Sequence, residues 1–481
     1  MNELIDRALD LAKVKGAAYA DVRIVRRSSQ SIVVKNGAVG SLENYTSAGF
    51  GVRVIVDGAW GFASSATLDR KEVDRVTALA VQIAKASALV KLRPVYLGAP
   101  VTHVAKYRTP VKIDPFSVPL DKKLELLLAA DAAMRAVKGI LVTEASAAFI
   151  REDKTFGSTE GAYIEQEFIE TGGGLEALAV GENDVQKRSY PNSFGRHQGT
   201  AGYELLEGLD LVSSAPRVAE EAVMLLSAPV CPSGVTTLIL GATQLGLQVH
   251  ESCGHPIELD RVMGTEAAYA GTSFLTLDKL GTFRYGSPVV NITADATSPG
   301  GLGTFGFDDE GVEAQRTPII REGIFVGYLT SRESAAELGE RSNGTMRADG
   351  WNRIPIIRMT NINLEPGDWE FDDLIADTDD GIYMEMNKSW SIDDKRLNFQ
   401  FGTEVAYPIK NGKMGGLLKN ATYTGITPRF WAGCDAVCNT KHWNVWGTPN
   451  CGKGQPPQVA HVGHGTAPAR FRNVQVGVMK G

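Results

Sequence analysis

Between Ala20 and Ala66 the apolar residues fall at every second position (Val22, Ile24; Ile32, Val34; Val52, Val54, Val56), and the alternation breaks at Asn36-Gly37 and Asp57-Gly58. A period of two sends alternate side chains to opposite faces of a strand. Asn-Gly and Asp-Gly accept the positive φ angles that two-residue hairpins demand. The stretch therefore reads as an antiparallel sheet with one apolar face, and that face must be covered. Helical spacing supplies the cover twice. Residues 2–15 place Leu4, Ile5, Ala8, Leu9, Leu11 and Ala12 on one side, and Leu68 to Leu89 carries the stripe Val73, Val76, Ala80, Ile83 and Ala84, with Thr67 as its expected cap.

After a proline-bearing connector at 91–119, a helix is predicted from about Leu120 to Val137. Short strand-like runs then follow from Ile140 to Val180, broken at Glu160-Gly161 and again at Gly172 to Gly174. A helix from Pro216 to Ser227 would open on its proline, where the missing N–H costs nothing. The run A-P-V-C-P-S at 228–233 marks a boundary. The expectation is an α+β chain: an N-terminal α/β domain over 1–228, with a possible subdivision near 91–119, and a β-rich C-terminal domain over 229–481. In the second half a strand at Val235 to Leu240 leads into a helix bearing Leu245, Leu247 and Val249. Strand-like runs recur at 289–293, 319–329 and 354–364, and Asn411-Gly412 marks another hairpin. The 52 glycines in 481 residues, against a usual share of about 7%, fit a turn-rich, strand-dominated chain.

With 49 Lys+Arg against 56 Asp+Glu, the net charge of -7 argues against a general nucleic-acid binder. Five cysteines, an odd number widely spread, are not a disulfide framework. No apolar run approaches 18 residues, and the first residues lack a signal peptide's apolar stretch, so a cytoplasmic protein without membrane attachment is expected.

The chemistry concentrates at H-E-S-C-G-H-P-I-E-L-D, His250 to Asp260. Two imidazoles around a carboxylate suit a hydrolytic zinc site. Histidines four apart on a helix diverge by about 40°, whereas the five-residue spacing here would splay them by about 140°. Two local devices would bring them back. The helix can end near Cys253 on a left-handed Gly254 cap ahead of Pro256, or a π-turn can close from residue i to i+5. A third ligand is open among Cys253, Cys434, Cys438, His442, Cys451, His461 and His464. Cys451 ranks first, because G-T-P-N-C-G-K-G-Q-P (447–456) reads as a rigid turn around one thiol, with Lys453 placed to favour its thiolate. His103 and His197 stand alone and read as packed or surface residues. The run G-L-G-T-F-G at 301–306 satisfies a dinucleotide fingerprint in letters only, since no helix follows it. Asp308, Asp309 and Glu310 after it read as a solvated acidic turn.

The signature H-E-S-C-G-H-P-I-E-L-D, with D-D-E-G at 308–311, R-M-T-N at 358–361 and the late Cys451-Gly452-Lys453, resembles the TldD/PmbA family of metallopeptidases, in its metal-bearing branch. The resemblance implies Zn²⁺ held by His250, His255 and Cys451, with Glu251 as the general base for a metal-activated water. It further implies a peptidase acting on unfolded or flexible peptides, assembled as a homodimer or as a heterodimer with a metal-free paralogue. Glu258 and Asp260 are candidates to hold the outer nitrogens of the imidazoles. Two other readings stand beside it: a non-catalytic assembly subunit with a structural zinc, in which Cys253 or His464 completes four ligands, and a zinc amidohydrolase of non-peptide amides. Where some members carry a glycine run, this chain has Asn387-Lys388-Ser389-Trp390-Ser391-Ile392-Asp393, a place for partner and substrate preference to differ.

Overall fold

The computed structural model describes residues 2–268, 271–454 and 457–477. It is an α+β chain built on two principal sheets. The first has eight strands, in the order Ala59–Ser65, Ala38–Val56, Tyr19–Lys35, Ile140–Ser158, Tyr163–Val180 and Val104–Arg108, with Val185–Tyr190 and His197–Gly199 also paired to Tyr163–Val180. Both hairpins turn where the sequence placed them: φ is positive at Asn36 and Gly37 and at Asp57 and Gly58.

Even-numbered residues of Tyr19–Lys35 share one face, and two helix pairs divide it. Asn2–Val14 and Arg70–Ala88 cover Ala20, Val22 and Ile24, while Leu120–Arg135 and Leu211–Ser227 cover Ile32 and Val34. One sheet thus carries two cores side by side. The Arg70–Ala88 helix is capped by Asp69, whose carboxylate accepts the Glu72 N–H at 2.8 Å, rather than by Thr67. Pro216 lies inside its helix and not at its start. The buried stripe Leu211, Ala215, Val218, Ala219, Ala222 and Leu225 extends the helix upstream, at the cost of one backbone bond to the half-exposed Val212.

Gly172 to Gly174 do not break a strand. They sit within an 18-residue one because a Cβ at Gly173 would meet the Ser146 carbonyl oxygen at 2.6 Å, and at Gly174 the Gly195 and Tyr190 carbonyl oxygens at 2.3 and 2.4 Å. Close backbone approach, not a turn, requires them.

The opposite face of this sheet is charged and buried. Asp21, Arg23 and Arg53 are almost wholly covered, and the acidic turn 308–310 from the C-terminal half inserts against them. Arg23 and Lys154 pair with Asp309, and Arg53 with Glu310. Asp308 accepts the backbone N–H groups of Glu310, Val312 and Met346. The solvated turn expected from sequence is thus a buried ionic joint between the two halves. Removing one member would strand a buried charge, a cost of about 3–5 kcal/mol.

The second sheet closes on itself. Asp380–Ile392 pairs in parallel with Gly234–Leu240 and antiparallel with Asn398–Lys410, and Ala469–Val476 and Thr422–Ile426 complete the ring. Gly234–Leu240 delivers the chain into the helix Ala242–Val249, whose Leu245 and Val249 are fully buried in the main C-terminal core. The two-stranded ribbon Asn444–Lys453 and Gln458–Thr466 lies beside that helix. No helix among the described residues is long and apolar enough to cross a membrane.

Candidate metal centre

The helix Ala242–Val249 does not stop at His250. It widens into a π-turn over His250–Gly254, in which the His255 N–H donates to the His250 carbonyl, five residues back. A short 3-10 turn, His255–Ile257, follows. Of the two local devices open from the sequence, the π-turn is the one used. Gly254 stays in the right-handed region (φ -56, ψ -57), so it is not a left-handed cap. It is glycine for space, since a Cβ there would lie 2.3 Å from the Met359 sulfur. The wider turn sets the two imidazoles side by side, with centroids 4.9 Å apart.

Cys451 comes from the ribbon and not from a turn. It lies on the strand Asn444–Lys453, just past an irregularity between Thr448 and Cys451, where two residues oppose one. Such a bulge bends a strand and re-aims its side chains. Gln455 and Pro456 of the expected turn lie outside the described residues. Cys451 Sγ stands 3.4 Å from His250 Nε2 and 3.6 Å from His255 Nε2. A tetrahedral zinc with bonds of about 2.3 Å to sulfur and about 2.0–2.1 Å to nitrogen requires S···N edges of about 3.5 Å. The donor set therefore fits zinc in both chemistry and spacing. Among the described residues these three form the one group of three or more donors that could share an ion.

The outer nitrogens decide which way the inner ones face. His255 Nδ1 meets Glu258 Oε2 at 3.0 Å, and His250 Nδ1 meets His464 Nε2 at 2.8 Å. His464 Nδ1 in turn faces the Ile362 carbonyl at 3.3 Å. A carbonyl can only accept, so His464 donates there, accepts from His250, and leaves the His250 Nε2 lone pair toward Cys451. Glu258 does the same for His255. His464, open as a ligand from the sequence, is placed to orient one instead. Asp260 touches neither imidazole: it accepts from Lys453 Nζ at 2.6 Å and from the Ile357 N–H. Cys253 is buried in the main core, and neither Cys434, Cys438, His442 nor His461 joins the cluster.

Burial works against ionisation of the Cys451 thiol, but His250, Arg358 and His255 outweigh it and hold its pKa well below the ordinary value. The helpful cation is Arg358, which also donates to the Cys451 carbonyl, rather than Lys453. Lys453 is taken up by Asp260, Glu258 and Glu266. Burial drives His255 down to about 4, so its ring is neutral and free to bind a metal at neutral pH. Arg358 and Asn361 are the first and last residues of R-M-T-N. Asn361 fills the space that Cβ atoms at Gly301 and Gly463 would need, the Thr360 carbonyl group that of Gly303 and the Tyr107 side chain that of Gly306, so packing accounts for the glycines of G-L-G-T-F-G without any nucleotide.

Glu251 faces a cavity of about 290 Å³ with His250, His255 and Cys451 in its wall. Burial raises its pKa, but His250, His255 and Arg396 more than offset this and keep it an anion. Arg396 Nη1 donates to Glu251 Oε2. No sequence signal marked Arg396, because a cation in the hairpin D-D-K-R-L-N reads as solvated. The N-terminal half also contributes. Ser193, Phe194 and Arg196 line the cavity, and His197 accepts the Gly447 N–H at 3.3 Å.

Glu258→Gln should weaken zinc binding by about 10–100-fold, the usual cost of losing a residue that orients a ligand. Competition with a chromogenic chelator measures this, and an affinity within twofold of the parent would show that the carboxylate does not hold the ring.

Three family models match in order: PmbA/TldA metallopeptidase domain 1 over residues 20–84, the central domain over 113–228 and the C-terminal domain over 233–478. A Methanocaldococcus jannaschii protein named as a metalloprotease is 31% identical over 438 residues, 90% of this chain and 92% of its own. A Saccharolobus solfataricus protein named as a zinc metalloprotease TldD homolog is 28% identical over 196 residues, 40% of this chain and 42% of its own. The crystal structure of TldE from Thermococcus kodakarensis superposes with a TM-score of 0.76 at 16% identity, covering 99% of this chain and all of that one, a likeness of fold.

Proposed function

The chain belongs to the PmbA/TldA metallopeptidase family, and from that premise we propose that it is a zinc-dependent peptidase of unfolded or flexible peptides with Glu251 as general base. The observation that carries this reading is the convergence of two imidazole Nε2 atoms and one thiol, at 3.4 and 3.6 Å, beside a buried glutamate that opens onto a cavity. His250, His255 and Cys451 would hold the ion. Bound there, zinc would supply Lewis acidity toward the scissile carbonyl and toward water. Glu251, next to His250 in the chain, takes a proton from the attacking water and returns it to the leaving amine. His464 and Glu258 keep both rings in the tautomer that leaves Nε2 unprotonated. An extended peptide offers its backbone for recognition, which suits unfolded substrates of varied sequence. Assembly as a homodimer, or with a metal-free paralogue, is part of the same reading, as is a cytoplasmic location.

Three donors facing a cavity favour a catalytic ion over a structural one, which would want four. The test is direct. The chelated protein should not cleave an unstructured peptide, and one equivalent of zinc should restore cleavage. Hydrolysis of non-peptide amides alone would mark an amidohydrolase, and hydrolysis of neither would mark an assembly subunit.

A further inference from the structure

Resting on the peptidase reading above, we propose that Arg396 is a catalytic residue, whose guanidinium passes from Glu251 to the carbonyl oxygen of the scissile peptide as that oxygen becomes an anion. Arg396 is held firmly by its backbone. Its backbone lies in the left-handed region, φ +64, within a turn that is pinned on several sides. Asp393 accepts the N–H groups of Leu397 at 2.8 Å and Asn398 at 3.0 Å, and the Arg396 N–H donates to the Asp393 carbonyl at 2.8 Å. Thr427 Oγ1 donates to the Arg396 carbonyl at 2.9 Å, and Arg261 ties down the neighbouring Asp394 carbonyl. With the backbone fixed this firmly, the side chain is the part left free to act.

That side chain reaches into the cavity containing Glu251, His250, His255 and Cys451. Nη1 is occupied by Glu251, while Nε is buried with no hydrogen-bond partner among the described residues. An unpaired buried donor on a guanidinium is costly. It has a use if an acceptor arrives during turnover. The guanidinium shares the wall of this cavity with both imidazoles and the thiol, where the ion and the scissile carbonyl would lie.

Charge balance gives the order of events. In the resting site the Glu251 anion neutralises Arg396. When the water oxygen bonds to the carbonyl carbon, the π pair moves to the carbonyl oxygen and one water proton goes to Glu251. The glutamate loses its charge in the same step in which the peptide oxygen gains one. A guanidinium that already holds Glu251 at the wall of the cavity can shift its allegiance to the new anion without crossing the site. A donor already held beside the place where charge develops needs little reorganisation at that moment. Return of the proton to the leaving amine restores the resting pair.

The test uses Arg396→Gly and Arg396→Lys in the full-length, zinc-loaded protein, with zinc content and melting temperature recorded. Glycine removes the side chain at a position where positive φ suits it, so the turn keeps its backbone, and the melting temperature records what the unpaired Glu251 costs. Two quantities are compared: kcat and KM on an unstructured peptide, and the Kd of a phosphinic peptide, which carries a tetrahedral anionic centre, against that of the product peptide. The expected result for Arg396→Gly is a fall in kcat of about 10²–10³-fold with KM within a few-fold, and an equal loss of phosphinic-peptide affinity. Product-peptide affinity and zinc content should stay unchanged, and Arg396→Lys should recover part of kcat. The proposal is overturned if kcat is unaffected, or if phosphinic and product peptides lose affinity together. A parent protein that cleaves no peptide would instead overturn the peptidase reading and this inference with it.

Discussion

Glu251→Gln is expected to hold zinc as tightly as the parent chain and to cleave an unstructured peptide about 10²–10⁴-fold more slowly, the usual contribution of a positioned general base. The change keeps the side chain's shape. The carboxamide oxygen can still accept from Arg396, and His250, His255 and Cys451 lose no contact, so the fold and the donor set should survive. What disappears is the ability to take a proton from water. Metal analysis and steady-state kinetics on the same preparation decide the matter: full zinc with undiminished cleavage would remove Glu251 from the mechanism, and loss of zinc would make it a structural support. The structural-zinc alternative predicts no difference between the two proteins in any peptide assay.

Cys451→Ala should have the larger effect on the metal. It deletes the one anionic donor and leaves two neutral imidazoles, so zinc affinity should fall well beyond the 10–100-fold typical of an orienting residue, and cleavage should fall with it. The thiol lies 3.4 and 3.6 Å from the two Nε2 atoms, and among the described residues no further His, Cys, Asp or Glu joins this donor group to take its place. Cys253 is the informative control. It is just two residues from His255 in sequence but buried in the core, where burial raises its thiol to about 12. Cys253→Ala should keep zinc and activity. If zinc stays with Cys451→Ala and leaves with Cys253→Ala, the donor set is wrong.

Local patterns in the chain were enough for the hairpins at Asn36-Gly37, Asp57-Gly58 and Asn411-Gly412, because positive φ is a property of one or two residues. They were also enough for the long helices, apart from their ends, whereas short ones such as Arg332–Glu337, Phe371–Ala376 and Thr427–Ala432 carry too few turns for a periodic stripe. The Asp69 cap and the buried Pro216 show why ends are harder: a cap is chosen by geometry within one turn, and a proline is tolerated when the stripe on either side is long enough. Glycine was the least readable residue. Gly172 to Gly174 and Gly254 look like breaks in a sequence, yet each is glycine because another segment, far along the chain, passes too close for a Cβ.

The same division holds at the site. The letters H-E-S-C-G-H-P-I-E-L-D held two imidazoles, a base and the five-residue spacing that a π-turn resolves, all within eleven consecutive residues, where contacts are dictated by helix geometry. The sequence alone could nominate Cys451 but not aim it. Its thiol is turned by a bulge in a ribbon roughly 200 residues away, and its charge is favoured by His250 and Arg358. His464 behind His250, Arg396 against Glu251 and the acidic joint at 308–310 belong wholly to the tertiary structure. Each is an ordinary charged or polar residue in its own neighbourhood. Only burial against a distant partner, where water no longer screens or solvates them, gives those residues a role.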